Sequence, residues 1–282
     1  MPTTDQRGPW MNEPTIGVLH PGAMGAQVAA TCRRSVVWCS AGRSAATRDR
    51  AVAAGLADVG TLADLVERSD AIVSVCPPGE ALAVADEVAS LGFDGLYVDA
   101  NAIAPATARE VAARFDRFVD GGIVGPPPTA PGSTRLYLSG AEAADVAAWW
   151  ESSELDARVV DGGAGAASAL KMAYATWTKV AGALLLDVRA LARAEGVESA
   201  LLGEWGISQP GTEERSRGTA AGVAPKAWRF VGEMEQIARS FDDAGLPEGF
   251  ALGAAEVYRR LSSFKDGGAA PIDEVLDALL EP

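Results

Sequence analysis

The stretch Ile16-Gly17-Val18-Leu19-His20-Pro21-Gly22-Ala23-Met24-Gly25 decides the fold of this chain. Its first four residues are typical of a buried strand, and the alanine-rich residues 26–32 after it favour a helix. In a dinucleotide-binding fold, a tight turn between strand and helix brings backbone N–H groups against a pyrophosphate. Two glycines fill the second and third positions of the G-x-G-x-x-G pattern, while His20 fills the first. We therefore predict cofactor contacts from His20, Pro21, Gly22, Ala23, Met24 and Gly25, and no catalytic role for His20, the single histidine.

Short strand-like runs alternate with alanine-rich helical stretches from Thr15 to about residue 160. This alternation predicts an α/β Rossmann-type dinucleotide-binding domain with a parallel sheet. The expected domain covers residues 15–161 and follows a loose tail at residues 1–14. The runs that predict strands are Ile16–Leu19, Val36–Cys39, Ala71–Cys76, Leu96–Asp99, Phe118–Asp120 and Leu136–Ser139.

A glycine-rich break near Asp161 separates this pattern from a second one with helical periodicity. We expect an all-helical carboxy-terminal domain over residues 162–282, responsible for dimerisation and substrate binding. Residues 166–194 predict a single helix of about 44 Å, at 1.5 Å per residue. Further helices are predicted at Ala200–Trp205, Ala224–Ala244, Gly249–Phe264 and Ile272–Leu280.

Composition excludes several classes of function. The 38 acidic and 24 basic side chains leave a net charge of −14, which repels nucleic acid and anionic lipid. No apolar run is long enough to span a membrane. Three cysteines without paired spacing and one histidine indicate neither a disulfide framework nor a metal site. We expect a cytoplasmic protein that acts on a small molecule.

The end of the second predicted strand carries information on cofactor choice. An NAD-preferring fold places an acidic residue there, to bind the ribose hydroxyls. This chain has Arg43 and Ser44 instead, with Arg48 as a weaker candidate. A guanidinium and a hydroxyl suit a 2′-phosphate, so the sequence favours NADP(H). The alternative is a surface arginine at the start of a helix.

These residues resemble the β-hydroxyacid dehydrogenase and 6-phosphogluconate dehydrogenase superfamily, whose turn reads G-x-G-x-M-G. Ser74-Val75-Cys76-Pro77-Pro78 is similar to the strand end that lies along the cofactor in that superfamily. Residues 99–105 are similar to its D-x-S-T-x-x-P segment. The resemblance implies cofactor contacts from Cys76, Pro77 and Pro78, and a place for Asn101 beside both nicotinamide and substrate.

Two further segments extend the resemblance. Asp120-Gly121-Gly122-Ile123-Val124-Gly125-Pro126 resembles the substrate-binding D-A-P-V-S-G-G, with Val124 in place of serine. Leu170-Lys171-Met172-Ala173-Tyr174-Ala175 resembles V-K-M-x-H-N, with Ala175 in place of asparagine. The likeness implies that Lys171 transfers the proton and that Gly122 and Val124 border the substrate. Residues 196–281 resemble a branch with a helical domain of unknown function, and the superfamily implies a homodimer.

The residues around Lys171 support a proton-transfer role independently. Lys171 is the only charged residue between Gly162 and Thr178, and apolar residues flank it. Desolvation would lower its pKa and let it exchange protons near neutral pH. The alternative is a lysine whose stem packs on the core while its ammonium reaches water. Tyr174 and Thr178 follow at helical spacing, so we expect both to line the substrate pocket.

Three functions remain open at this point. The favoured one is an NADP(H)-dependent dehydrogenase or reductase with Lys171 as general acid and base. Val124 and Ala175 replace two polar residues of the superfamily, and this replacement favours a less polar carbonyl, alcohol or imine as the substrate. The second is an imine reductase, and the third a catalytically silent NADPH-binding protein. Pocket roles also stay open for the aromatic residues and for two unusual segments, namely Trp177, Trp205, Trp228, Phe230, residues 208–211 and residues 226–229.

Overall fold

The computed structural model describes residues 13–265 and 267–281. Most of the predicted tail, residues 1–12, lies outside the described residues. The chain divides into two compact units, Met1–Lys171 and Met172–Pro282. An α/β unit therefore precedes a helical unit, in agreement with the predicted fold class. This division does not test the domain limit predicted between residues 161 and 162, which remains a prediction.

The first unit is built on an eight-stranded sheet with the strand order β3-β2-β1-β4-β5-β6-β7-β8. Neighbouring strands are parallel except for β6 and β7, which are antiparallel. The strands are β1 Thr15–Leu19, β2 Ser35–Trp38, β3 Ala57–Asp58, β4 Ala71–Ser74, β5 Leu96–Asp99, β6 Arg117–Val124, β7 Thr134–Ser139 and β8 Leu155–Val159. The helices of this unit are α1 Ala23–Thr31, α2 Ala45–Ala53, α3 Leu62–Arg68, α4 Ala81–Ser90, α5 Pro105–Ala112 and α6 Ala143–Ala147.

Two hydrophobic clusters cover the two faces of the sheet. Strand β4 sends Ala71 and Val73 into one cluster and Ile72 into the other. Strand β5 does the same with Leu96 and Tyr97. Successive side chains of a strand point to opposite faces, so strands of a doubly covered sheet are apolar throughout. This covering explains why the central strands were predictable from sequence.

Three features of this unit differ from the prediction. The β6–β7 pair is antiparallel because residues 125–133 are too few for a crossover, which takes a dozen residues or more. Strand β3 was missed because it has only two residues. Strand β8 was missed because Asp156 and Arg158 interrupt its apolar pattern, as is common on an edge strand.

The predicted long helix has the expected limits but is not regular. It consists of α7 Ala166–Ala175, a π-helical turn at Thr176–Val180 and α8 Ala181–Ala194. A π turn holds more residues than an α-helical turn, so spacing predicted across it shifts.

The helical unit continues with five helices. They are α9 Glu198–Ser208, α10 Thr212–Val223, α11 Ala227–Asp243, α12 Gly249–Arg260 and α13 Ile272–Leu280. Helix α10 was missed because it has two glycines and no apolar stripe; Glu213 and Glu214 in its first turn favour the positive helix end. Buried faces of α11, α12 and α13 form the core, with Met234, Tyr258 and Leu276 fully enclosed. Across residues 13–265 and 267–281, no helix is both long and apolar enough to pass through a bilayer.

Candidate functional site

The carboxyl ends of β1, β4, β5 and β6 lie side by side at one edge of the sheet. The connections from β1 and β4 leave in opposite directions along the strand order, toward β2 and toward β5. Open α/β sheets bind ligands at such a switch point, outside the carboxyl ends of the strands. Most of the predicted site residues of the first unit follow these strand ends directly.

The glycine turn after β1 has the backbone that a phosphate-binding turn needs. His20 has a φ of +59°, in the left-handed region that favours glycine, and its carbonyl oxygen accepts a hydrogen bond from Gly22 N at 2.6 Å. A Cβ on Gly25 would lie 2.8 Å from the same oxygen. Helix α1 begins directly after Gly22, which offers no side-chain cap. Its first N–H groups therefore form an anion-binding helix end.

Two polar side chains beside this turn have unused hydrogen-bonding atoms. His20 Nδ1 and Arg43 Nε are both buried without a hydrogen-bond partner in the described residues. Burial, together with the charge of Arg43, lowers the pKa of His20 to about 4, so the imidazole is neutral at pH 7. Burial raises the pKa of the Cys39 thiol, and the neighbouring Arg43 opposes this. The Arg43 guanidinium thus lies near the ends of β1 and β2.

The remaining residues of the predicted phosphate site are more exposed. Ser44 Oγ accepts a hydrogen bond from Thr47 N at 3.3 Å and thereby caps α2. Arg48 is exposed. The Ser44 hydroxyl thus has a local structural partner in addition to its predicted ligand.

Asn101 ties the ends of β4 and β5 together. Its Oδ1 accepts from Cys76 N at 2.6 Å, and its Nδ2 donates to Asp99 Oδ2 at 2.8 Å and to Ser74 Oγ at 3.1 Å. Only 2% of Asn101 is exposed. Its amide group is therefore held by protein partners, although the resemblance placed it against both nicotinamide and substrate. Beside it, burial raises the pKa of Cys76 to about 12, which keeps the thiol neutral.

Two buried carboxyl groups stand behind these residues on adjacent strands. Asp99 and Asp120 are paired in the register of β5 and β6, and neither is exposed. Burial raises the pKa of Asp99 to about 7. Burial also raises the pKa of Asp120, against the hydrogen bonds that its carboxylate accepts from Ser168, Ser139 and Gly165. Sequence reasoning treated both aspartates as parts of motifs and gave neither a role.

Lys171 lies on α7 where this helix packs against β6. A Cβ added to Gly122 would lie 2.8 Å from Lys171 Cβ and 2.9 Å from the carbonyl oxygen of Ala167. A glycine at 122 therefore permits the close approach of strand and helix. Lys171 itself is half-buried. The first unit thus brings together two predicted site residues that are 49 positions apart in the sequence.

Other predicted residues differ in accessibility. Val124 is 2% exposed at the end of β6, and Pro77 and Pro78 follow β4 as an exposed and a half-buried residue. In the helical unit Tyr174 is 47% exposed. Thr178 is exposed, and its hydroxyl donates to Tyr174 O at 3.1 Å. The described residues include no group of three or more His, Cys, Asp or Glu side chains placed to hold a metal ion.

Comparison with known proteins adds a domain and a fold. Residues 192–261 match the family model of a domain of unknown function, DUF1932. An uncharacterised 28.5 kDa protein from Methanothermus fervidus is 31% identical over 166 residues. That match covers 58% of this chain and only 64% of the relative's own length.

Solved structures show the same fold over nearly the whole chain. One is a conserved protein of unknown function with structural similarity to 3-hydroxyacid dehydrogenases, at 24% identity and a TM-score of 0.67, covering 89% of this chain and 97% of that one. The 3-hydroxyisobutyrate dehydrogenase of Mycobacterium tuberculosis, solved with L-serine, has 18% identity and a TM-score of 0.69, with 96% and 100% coverage. A reductive aminase from Aspergillus terreus, in complex with a nicotinamide cofactor, cyclohexanone and allyl amine, has 18% identity and a TM-score of 0.55, with 94% and 99% coverage. At these identities the similarity establishes the fold alone. The chain thus has the fold of these solved structures, and its residues 192–261 match the DUF1932 domain.

Proposed function

We propose that the protein is an NADP(H)-dependent oxidoreductase that transfers a hydride to or from a small carbonyl or alcohol substrate. One observation carries the proposal: the glycine turn after β1, Asn101 after β5 and Lys171 against β6 belong to one edge of one sheet. Solved structures with the same fold include dehydrogenases and imine reductases. Bound NADPH supplies the hydride in this chemistry.

The residues of the glycine turn fit a dinucleotide. The uncapped start of α1 offers N–H groups to a pyrophosphate, and the place of Gly25 leaves no room for a side chain. Asn101 holds the ends of β4 and β5 at a fixed separation along this edge. We assign cofactor contacts to the predicted residues that follow β1 and β4, and a supporting contact to Asn101.

Lys171 is our general acid and base. During reduction its ammonium donates a proton to the substrate oxygen, and during oxidation its amine takes the hydroxyl proton. Lys171→Ala should lower turnover by about 100-fold or more, with no loss of NADPH affinity. Lys171→Arg is the matched variant, because it keeps the positive charge but a guanidinium does not release its proton. Full activity in Lys171→Arg would show that only the charge matters.

Arg43 is our determinant of NADP(H) preference. Its buried Nε has no hydrogen-bond partner among residues 13–265 and 267–281, and the hydroxyl of Ser44 follows at the start of α2. Arg43→Ala should weaken NADPH binding by about 10- to 100-fold, since a hydrogen bond to a charged group contributes about 1.5–3 kcal/mol. NADH binding should not change. Calorimetric titration of both cofactors tests this, with exposed Arg48→Ala as the control; equal loss in both variants would contradict the assignment.

We propose a substrate less polar than a hydroxy acid. Val124 and Ala175 stand where the superfamily has a serine and an asparagine, and both are buried. A first panel is 3-hydroxyisobutyrate and L-serine with NADP⁺, and cyclohexanone with NADPH, with and without allylamine. Reduction of cyclohexanone without oxidation of the two acids is the expected result. Tight NADPH binding with no turnover across a broad carbonyl, alcohol and imine screen would favour the silent binding protein.

Imine reduction is a second candidate function. Tyr174 lies one helical turn after Lys171 and is 47% exposed, so its hydroxyl is available as a proton donor. Turnover that needs both cyclohexanone and allylamine, and that is lost in Tyr174→Phe, would favour this function. Turnover of cyclohexanone alone, unaffected by Tyr174→Phe, would favour the first proposal.

We also propose a homodimer formed through the helical unit. Trp177 and Leu184 border an apolar groove of about 310 Å³, and Leu184 and Leu191 lie seven residues apart on α8. These three side chains are 57–78% exposed, and such patches mark protein interfaces. Seven-residue spacing suits pairing with a second copy of the helix. Light scattering should give twice the chain mass, and Leu191→Glu should reduce it; the control is Ile207→Glu, which changes an exposed residue of α9. A monomer at micromolar concentration would contradict the proposal.

The remaining assignments follow from the sequence. We propose domain limits of 15–161 for cofactor binding and 162–282 for the helical domain. The three cysteines are free thiols, which supports a reducing, cytoplasmic location.

A further inference from the structure

Helix α7, which carries Lys171, begins without a capping side chain from its own segment. The residue before it is Gly165, with a φ of +97°. The first N–H groups of a helix have no partner within the helix and need acceptors when they are buried. Here the acceptors come from strands of the sheet, 28 to 48 residues away in the sequence.

Asp120 of β6 supplies most of these contacts. Its Oδ2 accepts from Gly165 N at 3.0 Å and from Ser168 N at 2.9 Å, and its Oδ1 accepts from the Ser168 hydroxyl at 2.6 Å. Ser139 of β7 completes the arrangement, because its Oγ accepts from Ala167 N at 3.0 Å. Asp120, Ser139 and Ser168 have no exposed surface. A carboxylate at the positive end of a helix is also favoured by the helix dipole.

The contact continues one turn along the helix. Gly122 lies two residues after Asp120, so both face the same side of β6. Lys171 lies three residues after Ser168, so both face the same side of α7. Asp120 meets Ser168, and Gly122 meets Lys171 with no room for a Cβ. Two residues of one strand thereby fix two successive turns of the helix, in position along its axis and in rotation.

We propose that Asp120 is a positioning residue for Lys171, which holds the start of α7 on β6 so that the lysine reaches the reacting atoms from a fixed place. The inference rests on the proposed function and deepens it. Asp120 contributes no proton and touches no ligand in this role. Its effect reaches the reaction through the helix.

Kinetics of Asp120 variants test the proposal, with a panel substrate that the wild type converts. Asp120→Ala removes both carboxylate oxygens that accept from Gly165 and Ser168, and should lower kcat by about 100-fold, the loss expected from about 1 Å of misplacement. Asp120→Asn keeps an acceptor for the backbone N–H groups and should retain more activity than Asp120→Ala. KM and NADPH affinity should stay at wild-type values in both. A lower kcat with unchanged KM and NADPH affinity distinguishes a positioning role from a general loss of structure.

A matched control removes a helix cap elsewhere in the same unit. Thr61 caps α3 through its hydroxyl, which accepts from Asp64 N at 3.1 Å. Thr61→Ala should lower stability and leave kcat unchanged. A wild-type kcat in Asp120→Ala, or a fall in kcat and NADPH affinity together, would overturn the proposal. If Asp120→Ala does not fold, Asp120→Asn and Ser168→Ala carry the test, and wild-type kcat in both would overturn it equally.

A second measurement does not depend on turnover. Hydrogen–deuterium exchange at residues 165–170 should become faster in Asp120→Asn and Ser168→Ala, whereas Thr61→Ala should leave these amides protected. Unchanged exchange in both variants would overturn the positioning role. A wild type that converts no substrate, with faster exchange in the variants, would contradict the proposed function and leave the anchoring of α7 supported.

Discussion

Replacing Asp99 with asparagine removes a fully buried carboxyl group at the end of β5, beside a second buried carboxyl at Asp120. Its oxygens accept hydrogen bonds from Asn101 N at 2.9 Å and from Asn101 Nδ2 at 2.8 Å. Burial, with a further contribution from the charge of Asp120, raises the pKa of Asp99 to about 7, although the bonds from Asn101 oppose this. The ionised form is therefore unfavourable in the folded protein.

The size and sign of the effect follow from this pKa. A rise from the ordinary 3.8 to about 7 corresponds to about 4 kcal/mol, at about 1.4 kcal/mol per pH unit. Below pH 4 the carboxyl keeps its proton in both folded and unfolded chains. Between pH 4 and 7 the unfolded chain loses this proton first, so the folded state becomes less stable as the pH rises. We expect the wild type to lose about 4 kcal/mol relative to Asp99→Asn across this range, and no more above it.

Urea unfolding of both proteins between pH 3 and 8 measures the difference. Hydrogen bonds that asparagine cannot reproduce add a constant offset, which cancels when the difference is followed with pH. Asp64→Asn is a control of opposite direction, because the Thr61 side chain lowers the pKa of Asp64. Its stabilising contribution should disappear as the pH falls below 4. A difference between wild type and Asp99→Asn that stays constant from pH 4 to 8 would refute the reasoning.

Two other substitutions test the turn and the helical unit. Gly25→Ala should weaken NADPH binding by about tenfold or more, because its Cβ would lie 2.8 Å from His20 O and must displace the turn, and calorimetry checks this. An NADPH affinity equal to that of the wild type would mean that the turn accommodates the added methyl group without loss of binding free energy. Glu198→Ala leaves the buried Arg189 guanidinium without its carboxylate and should lower the free energy of unfolding of the helical unit by about 3–5 kcal/mol. Denaturant unfolding compares it with Glu213→Ala, which removes an exposed pair worth about 1 kcal/mol or less; equal losses would contradict the difference in burial.

Patterns within a short stretch made the fold predictable. Buried strands such as β4 and β5 read as continuous apolar runs, and the limits of β5 and α13 were predicted to the residue. Elements without an apolar pattern were missed, as α10 and β8 show. The π turn at Thr176–Val180 was also missed, because the sequence around it keeps helical propensity on both sides. A sequence pattern does not predict where a helix or strand departs locally from regular geometry.

The candidate site was predictable only where one segment carries the signal. The glycine turn and Lys171 each stand out in their own stretch of sequence. The hydrogen bond that the Ser168 hydroxyl donates to Asp120 joins residues 48 positions apart, and its sequence signal is an aspartate inside an apolar strand. The same holds for Asn101, whose partner Cys76 follows another strand. Such networks form only when the strands that carry their residues become neighbours in the sheet. Local sequence patterns do not specify which strands become neighbours.

The distribution of polar groups along β6 bears on the substrate. Asp120 of this strand anchors α7, while Val124 at the end of the strand is buried and apolar. A buried carboxylate of a hydroxy acid would need charged or polar partners to offset its loss of water. With Asp120 engaged by the helix and Val124 apolar, this strand offers a substrate little beyond the neighbouring Lys171. The carbonyl substrate that we propose needs one proton donor at its oxygen, so β6 suits it better than a hydroxy acid, whose carboxylate would lack a partner of its own.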